Sequence, residues 1–70
     1  MYGRPYRVYI RNERCRTFGS LGAARRYAEK HVKELRIDLN TYFPAASICI
    51  GSGTTFREMS LTNKGWTDFH

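Results

Sequence analysis

Two short segments near the start of the chain alternate between polar and apolar residues. Residues 6–10 (YRVYI) and 14–18 (RCRTF) each show the period of two that is typical of a half-buried strand. Asn12 and Glu13 lie between them, so the pattern predicts a hairpin with a two-residue loop. Because glutamate adopts the left-handed backbone region poorly, a longer loop that takes in a flanking arginine is the alternative.

A two-residue loop would give the hairpin one apolar and one basic face. The apolar face would pair Ile10 with Cys15 and Val8 with Thr17. The basic face would pair Tyr9 with Arg16, Arg11 with Arg14 and Arg7 with Phe18. Like charges that face each other across two strands destabilise a sheet unless an anion neutralises them, so this face predicts an anionic partner. The alternative is that both aromatic rings lie beneath other segments and the arginines only keep the edge soluble.

A longer segment has the spacing of an amphipathic helix. Ser20 is a favourable N-cap, and Asn40 ends the pattern. The apolar stripe between them consists of Leu21, Ala24, Ala28, Val32, Leu35 and Leu39. The opposite face carries Arg25, Arg26, Glu29, Lys30, Lys33 and Arg36. The spacing predicts one helix that packs its apolar stripe on a sheet, followed by a loop at residues 42–44 (YFP) that places an aromatic ring under the helix end.

The rest of the chain favours β-structure. Residues 46–50 (ASICI) are typical of a buried strand, the glycine-rich residues 51–53 turn the chain, and residues 54–61 return. A second turn at residues 63–65 leads into a last strand at residues 66–69. Because no helix follows residues 51–53, they predict a hairpin turn and not a phosphate loop. We therefore predict one α+β domain over all 70 residues, with a single helix packed on an antiparallel sheet of four to five strands in the order ββαβββ.

Charge is distributed unevenly along the chain. Residues 1–36 hold ten basic and three acidic side chains, whereas residues 37–70 hold two basic and three acidic ones, for a net charge of +6. Nine of the twelve bases are arginine, whose planar guanidinium suits phosphate and carboxylate groups. The composition therefore indicates an anionic partner, either a nucleic acid or an acidic protein surface.

Catalytic chemistry is not indicated. A chain this short has a thin core, and it shows no acid, base or nucleophile with a well-placed partner. We therefore predict that the protein is not an enzyme and needs no metal or cofactor. Cys15 and Cys49 are predicted to be reduced core thiols, and His31 a half-buried helix residue. The sequence shows no membrane-length apolar stretch and no apolar block of a signal peptide, so we expect no membrane association and a cytoplasmic location.

The candidate partner-binding residues are the cations of the basic segments and the aromatic side chains between them. They are Arg7, Tyr9, Arg11, Arg14, Arg16 and Phe18 in the hairpin and Arg25, Arg26, Lys30 and Lys33 on the helix. For the helix, the alternative is a charged face that is merely solvated. In a direct DNA- or RNA-binding module, the arginines would bind phosphates while the hairpin aromatics stack on bases or sugars. A third alternative is an enzyme accessory protein or a homodimer through exposed strand edges, with Tyr42 and Trp66 as candidate anchors.

Three segments between Leu21 and Phe69 resemble the small phage-encoded anti-CRISPR proteins that act on type I surveillance complexes. These segments are the helix LGAARRYAEKHV, the turn at residues 51–53 and the ending LTNKGWTDF. The resemblance implies a non-enzymatic inhibitor in the host bacterial cytoplasm, and we expect it to be a monomer or weak homodimer. Such a protein would bind protein subunits or guide RNA of a CRISPR surveillance complex and block target DNA. Residues 6–33, a basic hairpin followed by TFGSL and an alanine-rich helix, also resemble the arm-type DNA-binding domain of phage integrases, which reads a DNA groove with a three-stranded sheet.

Overall fold

The computed structural model describes residues 5–41 and 44–70, and it contains five strands and one α-helix. The strands are β1 (Tyr6–Ile10), β2 (Arg16–Phe18), β3 (Ala46–Ile50), β4 (Arg57–Thr62) and β5 (Gly65–Trp66), and helix α1 (Leu21–Glu34) lies between β2 and β3. The α+β class and the order ββαβββ predicted from the sequence are confirmed. A single turn of 3₁₀ helix (Gly53–Thr55) precedes β4 and shortens this strand relative to the prediction.

All neighbouring strands in the sheet are antiparallel, in the order β2-β1-β3-β4-β5. Strands β2 and β3 both flank β1, so they run parallel to each other, and α1 supplies the crossover that such a pair requires. The last strand pairs further than its two residues suggest, because the Thr67 N–H donates to the Ser60 carbonyl at 2.9 Å. Glu58 and His70 also exchange backbone hydrogen bonds of 3.0 and 3.1 Å.

The core lies between α1 and one face of the sheet. Val8, Ile48 and Met59 form a cross-strand row on this face, and the next row holds Ile10, Ala46 and Leu61. The helix covers them with Ala24, Ala28 and Val32, and both alanines are completely buried. Because alanine has a short side chain, α1 can approach the sheet closely. Cationic side chains on its outer surface are thereby held on the opposite side of the helix from the sheet.

The opposite face of the sheet, here called the open face, is not covered by a helix or a second sheet in the described part of the chain. The strand alternation places Arg7, Tyr9, Ser47, Cys49, Glu58 and Ser60 on it. Most side chains on the open face are therefore small or polar. Cys49 is buried, as predicted, and burial, followed by the charge of Glu58, raises the pKa of its thiol. The prediction of a core position for Cys15 is wrong, because this thiol is exposed between β1 and β2.

The helix ends earlier than its apolar periodicity predicts. Glu34 is the last helical residue, and Arg36 has a left-handed backbone with φ of 56°. The N–H of Ile37 donates to the Val32 carbonyl at 3.1 Å, and the N–H of Arg36 donates to the Lys33 carbonyl at 3.1 Å. These two hydrogen bonds form a Schellman motif, which reverses the chain and packs Ile37 on the core. Leu35, predicted to be a core residue, is consequently 45% exposed.

We expect the substitution Arg36→Gly to stabilise the protein. A left-handed residue with a Cβ costs about 1–2 kcal/mol, while the additional freedom of glycine in the unfolded chain costs about 0.4–1 kcal/mol, which leaves a net gain of about 0.5–1 kcal/mol. The control is Arg36→Ala, which also removes the charge but keeps the left-handed strain. Urea denaturation should give a higher free energy of unfolding for the glycine variant than for the alanine variant. Equal values would contradict a strained helix end.

The predicted loop aromatics Tyr42 and Phe43 lie outside the described residues. His31 is half-buried on α1, as the sequence predicts. No helix in residues 5–41 and 44–70 has both the length and the apolar character needed to cross a membrane.

Candidate functional site

The hairpin between β1 and β2 has a longer loop than the two residues first predicted. Residues 11–15 connect the strands, and the Glu13 N–H donates to the Ile10 carbonyl at 2.9 Å. Asn12 has φ of 63°, whereas Glu13 keeps a negative φ. The longer-loop alternative is therefore correct. The difference has a simple cause: this turn needs one left-handed residue, and asparagine tolerates that conformation better than glutamate does.

The longer loop shifts the strand register by one residue. Val8 pairs with Arg16, and Tyr6 pairs with Phe18. Because side chains alternate across a sheet, this shift moves Arg16 and Phe18 to the face that α1 covers. The Phe18 ring lies 5.0 Å from the ring of Tyr27 on α1, and the Arg16 guanidinium lies 5.3 Å from the same ring. The prediction that these two residues share a basic face with Tyr9 is therefore wrong.

The other hairpin candidates are divided between the open face and the connecting loop. Arg7 and Tyr9 lie on the open face, while Arg11 and Arg14 are exposed in the loop. Arg7 is half-buried and donates from Nη2 to the Gly51 carbonyl at 2.6 Å, so it joins β1 to the turn after β3. The hairpin therefore does not present its four arginines as one surface.

Tyr9 is the exposed aromatic side chain of the open face. It is 45% exposed, and no aromatic ring of a described residue packs against it. A hydrogen bond with the Cys15 thiol, followed by the charge of that thiol, raises the pKa of the Tyr9 hydroxyl, and Arg7 opposes this effect. The phenol is accordingly neutral at physiological pH and can contact a planar ligand without the cost of burying a charge.

The cations on α1 form a more continuous surface. Arg26, Lys30 and Lys33, here called the basic helix face, are exposed and line a shallow depression of about 410 Å³ together with Glu29. No carboxylate of a described residue lies within 4.0 Å of these three cations. Arg25 lies at the flank of this face, 6.0 Å from the Trp66 ring. All four helix residues predicted to bind a partner are therefore exposed, and three of them lie together.

The two carboxylates of α1 bind residues other than these cations. Glu29 accepts a hydrogen bond of 2.6 Å from the Trp66 indole, and Glu34 lies 3.2 Å from Nδ1 of His31. Glu29 and Lys33 are four residues apart, a spacing that favours an ion pair on a helix. Nothing in the local pattern indicates a contact between Glu29 and Trp66, which follows 37 positions later. Trp66 is half-buried against the core, and its ring and indole N–H are already occupied within the chain. This engagement gives no support to Trp66 as a dimer anchor.

Within the part of the chain that the structure describes, no three His, Cys, Asp or Glu side chains lie close enough together to hold a metal ion. The basic helix face and the open face around Tyr9 are therefore the two candidate sites. No family model, curated protein or solved structure matches the chain, so the resemblance to anti-CRISPR proteins stays a prediction.

Proposed function

We propose that the protein is a non-catalytic nucleic-acid-binding module whose basic helix face binds the phosphate backbone. The observation that carries this proposal is the absence of internal partners for Arg26, Lys30 and Lys33 among the described residues. The two carboxylates nearest in sequence bind Trp66 and His31 instead. The positive charge of the face is therefore available to a polyanion.

The spacing of the three cations favours a linear polyanion. At 1.5 Å per residue, Arg26 and Lys30 lie about 6 Å apart along the helix axis, and Lys30 and Lys33 about 4.5 Å apart. Like charges separated by three or four residues repel each other and destabilise a helix. An array of phosphates would remove this repulsion and release its own counterions, and both effects favour binding.

Cations of the same face can reach guanine as well as phosphates, but α1 contains no Asn or Gln side chain to read adenine. The large hydrophobic side chains exposed in the described residues are Tyr9, Leu35 and Phe56, and none of them projects from the outer surface of α1. Contacts to phosphates position a protein on nucleic acid but carry no sequence information. We therefore expect the basic helix face to bind duplexes with little sequence preference.

Fluorescence anisotropy with a labelled random-sequence duplex tests the proposal. If three phosphates are neutralised, the logarithm of the affinity should fall with the logarithm of salt at a slope of about −2.7, or about 40-fold between about 50 and 200 mM salt. The double substitution Lys30→Glu and Lys33→Glu should weaken binding at least about tenfold at the lower salt and flatten this slope by about 1.8.

The control for net charge is the double substitution Arg57→Glu and Lys64→Glu. Both residues are exposed and lie outside α1, and the change in net charge is the same. The control should bind the duplex more tightly than the α1 double variant. The proposal fails if the wild-type protein binds neither DNA nor RNA at low salt, or if both double variants lose the same affinity. If the wild-type protein binds neither DNA nor RNA, an acidic protein partner is the next candidate, such as the surveillance complex that the anti-CRISPR resemblance implies.

A further inference from the structure

We infer that the open face carries a second site, at which the Tyr9 ring stacks on an unpaired base of a single-stranded nucleic acid. This site lies on the other side of the sheet from the basic helix face, so it does not depend on the function proposed for α1. The inference rests on the position of Tyr9, on the surface next to it and on the nearby charges.

Tyr9 stands on a strand inside the sheet and not at its edge. Strand β1 lies between β2 and β3, and the partner of Tyr9 across β3 is Ser47, which in turn pairs with Ser60 on β4. Beyond Ser60 lies Thr67, whose hydroxyl accepts a hydrogen bond of 2.9 Å from the Ser60 N–H. The aromatic ring therefore borders a row of small polar side chains. Ser47 is buried, so the hydrogen-bonding groups that a base stacked on this ring could reach in the row belong to the half-buried Ser60 and Thr67.

Two arginines of the hairpin lie in the strand and loop next to this ring. Arg7 lies two residues before Tyr9 on the same strand and the same face, about 7 Å away. Arg14 is exposed in the loop that connects β1 to β2. The nearest open-face carboxylate, Glu58, lies two strands away on β4, opposite Cys49. An aromatic platform flanked by arginines matches a strand whose bases alternate with phosphates.

The chemistry of the open face favours a single-stranded nucleic acid over a duplex and over a protein partner. Bases in a duplex are already stacked on each other, so a ring on a flat sheet can contact only an unpaired base. A protein partner would bury a larger apolar centre than this face offers, because the open-face neighbours of Tyr9 are Arg7, Ser47 and Ser60. An unpaired base with its flanking phosphates fits both the ring and the charges.

Anisotropy with labelled oligo(dT) and two Tyr9 variants tests this inference. Tyr9→Phe keeps the ring and should bind like the wild-type protein. Tyr9→Leu removes the ring and should bind oligo(dT) about tenfold or more weakly, because stacking on one base contributes a factor of about 5 to 150. Since Tyr9 is exposed, both variants should keep the melting temperature of the wild-type protein.

Duplex binding separates this inference from the proposed function. Tyr9→Leu should leave duplex affinity unchanged, because the Tyr9 ring contacts only unpaired bases. The inference is wrong if the wild-type protein does not bind oligo(dT) or if Tyr9→Leu binds it like the wild type. It is also wrong if Tyr9→Phe loses as much affinity as Tyr9→Leu. None of these three results would bear on duplex binding by α1.

Discussion

The substitution Gly51→Ala should lower the free energy of unfolding by about 2–4 kcal/mol, because both the backbone conformation and the space at this position require glycine. Gly51 has φ of 72°, which a residue with a Cβ adopts only at a cost. A Cβ there would lie 2.2 Å from the Thr55 carbonyl oxygen and 2.7 Å from its carbon. These are backbone atoms, so the clash cannot be relieved by rotating a side chain.

The turn around Gly51 is held by several hydrogen bonds that resist such a movement. The Thr55 N–H and hydroxyl both donate to the Ser52 carbonyl, at 2.9 and 2.8 Å. The Ser52 N–H donates to the Thr55 hydroxyl at 3.1 Å. Moving Thr55 away from a new Cβ would strain these bonds and the contact between Arg7 and the Gly51 carbonyl. We therefore expect the clash to be only partly relieved.

Gly53→Ala is the matched control for this prediction. Gly53 has φ of 55° in the same turn, but no atom lies within 4 Å of a Cβ built there. The free energy of unfolding of this variant should fall by only about 1 kcal/mol, which is the cost of placing alanine in the left-handed region. Urea denaturation followed by Trp66 fluorescence measures both variants. Equal losses of stability would show that the turn absorbs the clash and would contradict the prediction.

The substitution Ile48→Ala should lower the free energy of unfolding by about 3–4 kcal/mol, which is most of the stability expected for a domain of this size. Ile48 is completely buried on the central strand β3, between Val8 and Met59, and faces α1. Removing its side chain leaves a cavity that the neighbouring strands cannot fill without breaking their register. If the alanine variant is too unstable to measure, Ile48→Val should still cost about 0.5–1.5 kcal/mol.

Leu35→Ala is the contrasting variant, because the apolar periodicity and the structure disagree about this residue. The periodicity predicts a core leucine, whose loss would cost about 2–5 kcal/mol. In the structure Leu35 is 45% exposed at the helix end, so we expect Leu35→Ala to lower the free energy of unfolding by less than about 0.5 kcal/mol. Thermal denaturation by circular dichroism distinguishes these values. A loss above about 2 kcal/mol would show that α1 continues past Glu34 in solution.

Features that depend on neighbouring residues were predicted well from the sequence. The bounds of β3 match the predicted strand, because its β-branched apolar run lies next to a glycine turn. Ser20 caps α1 by accepting a hydrogen bond of 3.2 Å from the Ala23 N–H, and Gly65 has a positive φ of 102° in the turn predicted at residues 63–65. In each case, capping or turn geometry is set within three or four residues. The exposure of Arg26, Lys30 and Lys33 follows from helix periodicity in the same way.

By itself, therefore, the sequence determined the α+β class, the order of the elements and the charged outer face of α1, since these depend on local propensity and on a hydrophobic period. Only the tertiary structure decided the hairpin register, the helix end and the partners of the helix carboxylates. The register places Phe18 against Tyr27, the helix end packs Ile37 on the core, and Glu29 binds an indole from the last strand. The turn at Asn12 permits the observed register, but the contacts of Phe18 with Tyr27, of Ile37 with the core and of Glu29 with Trp66 join residues that lie apart in the sequence, and they select among the locally allowed geometries.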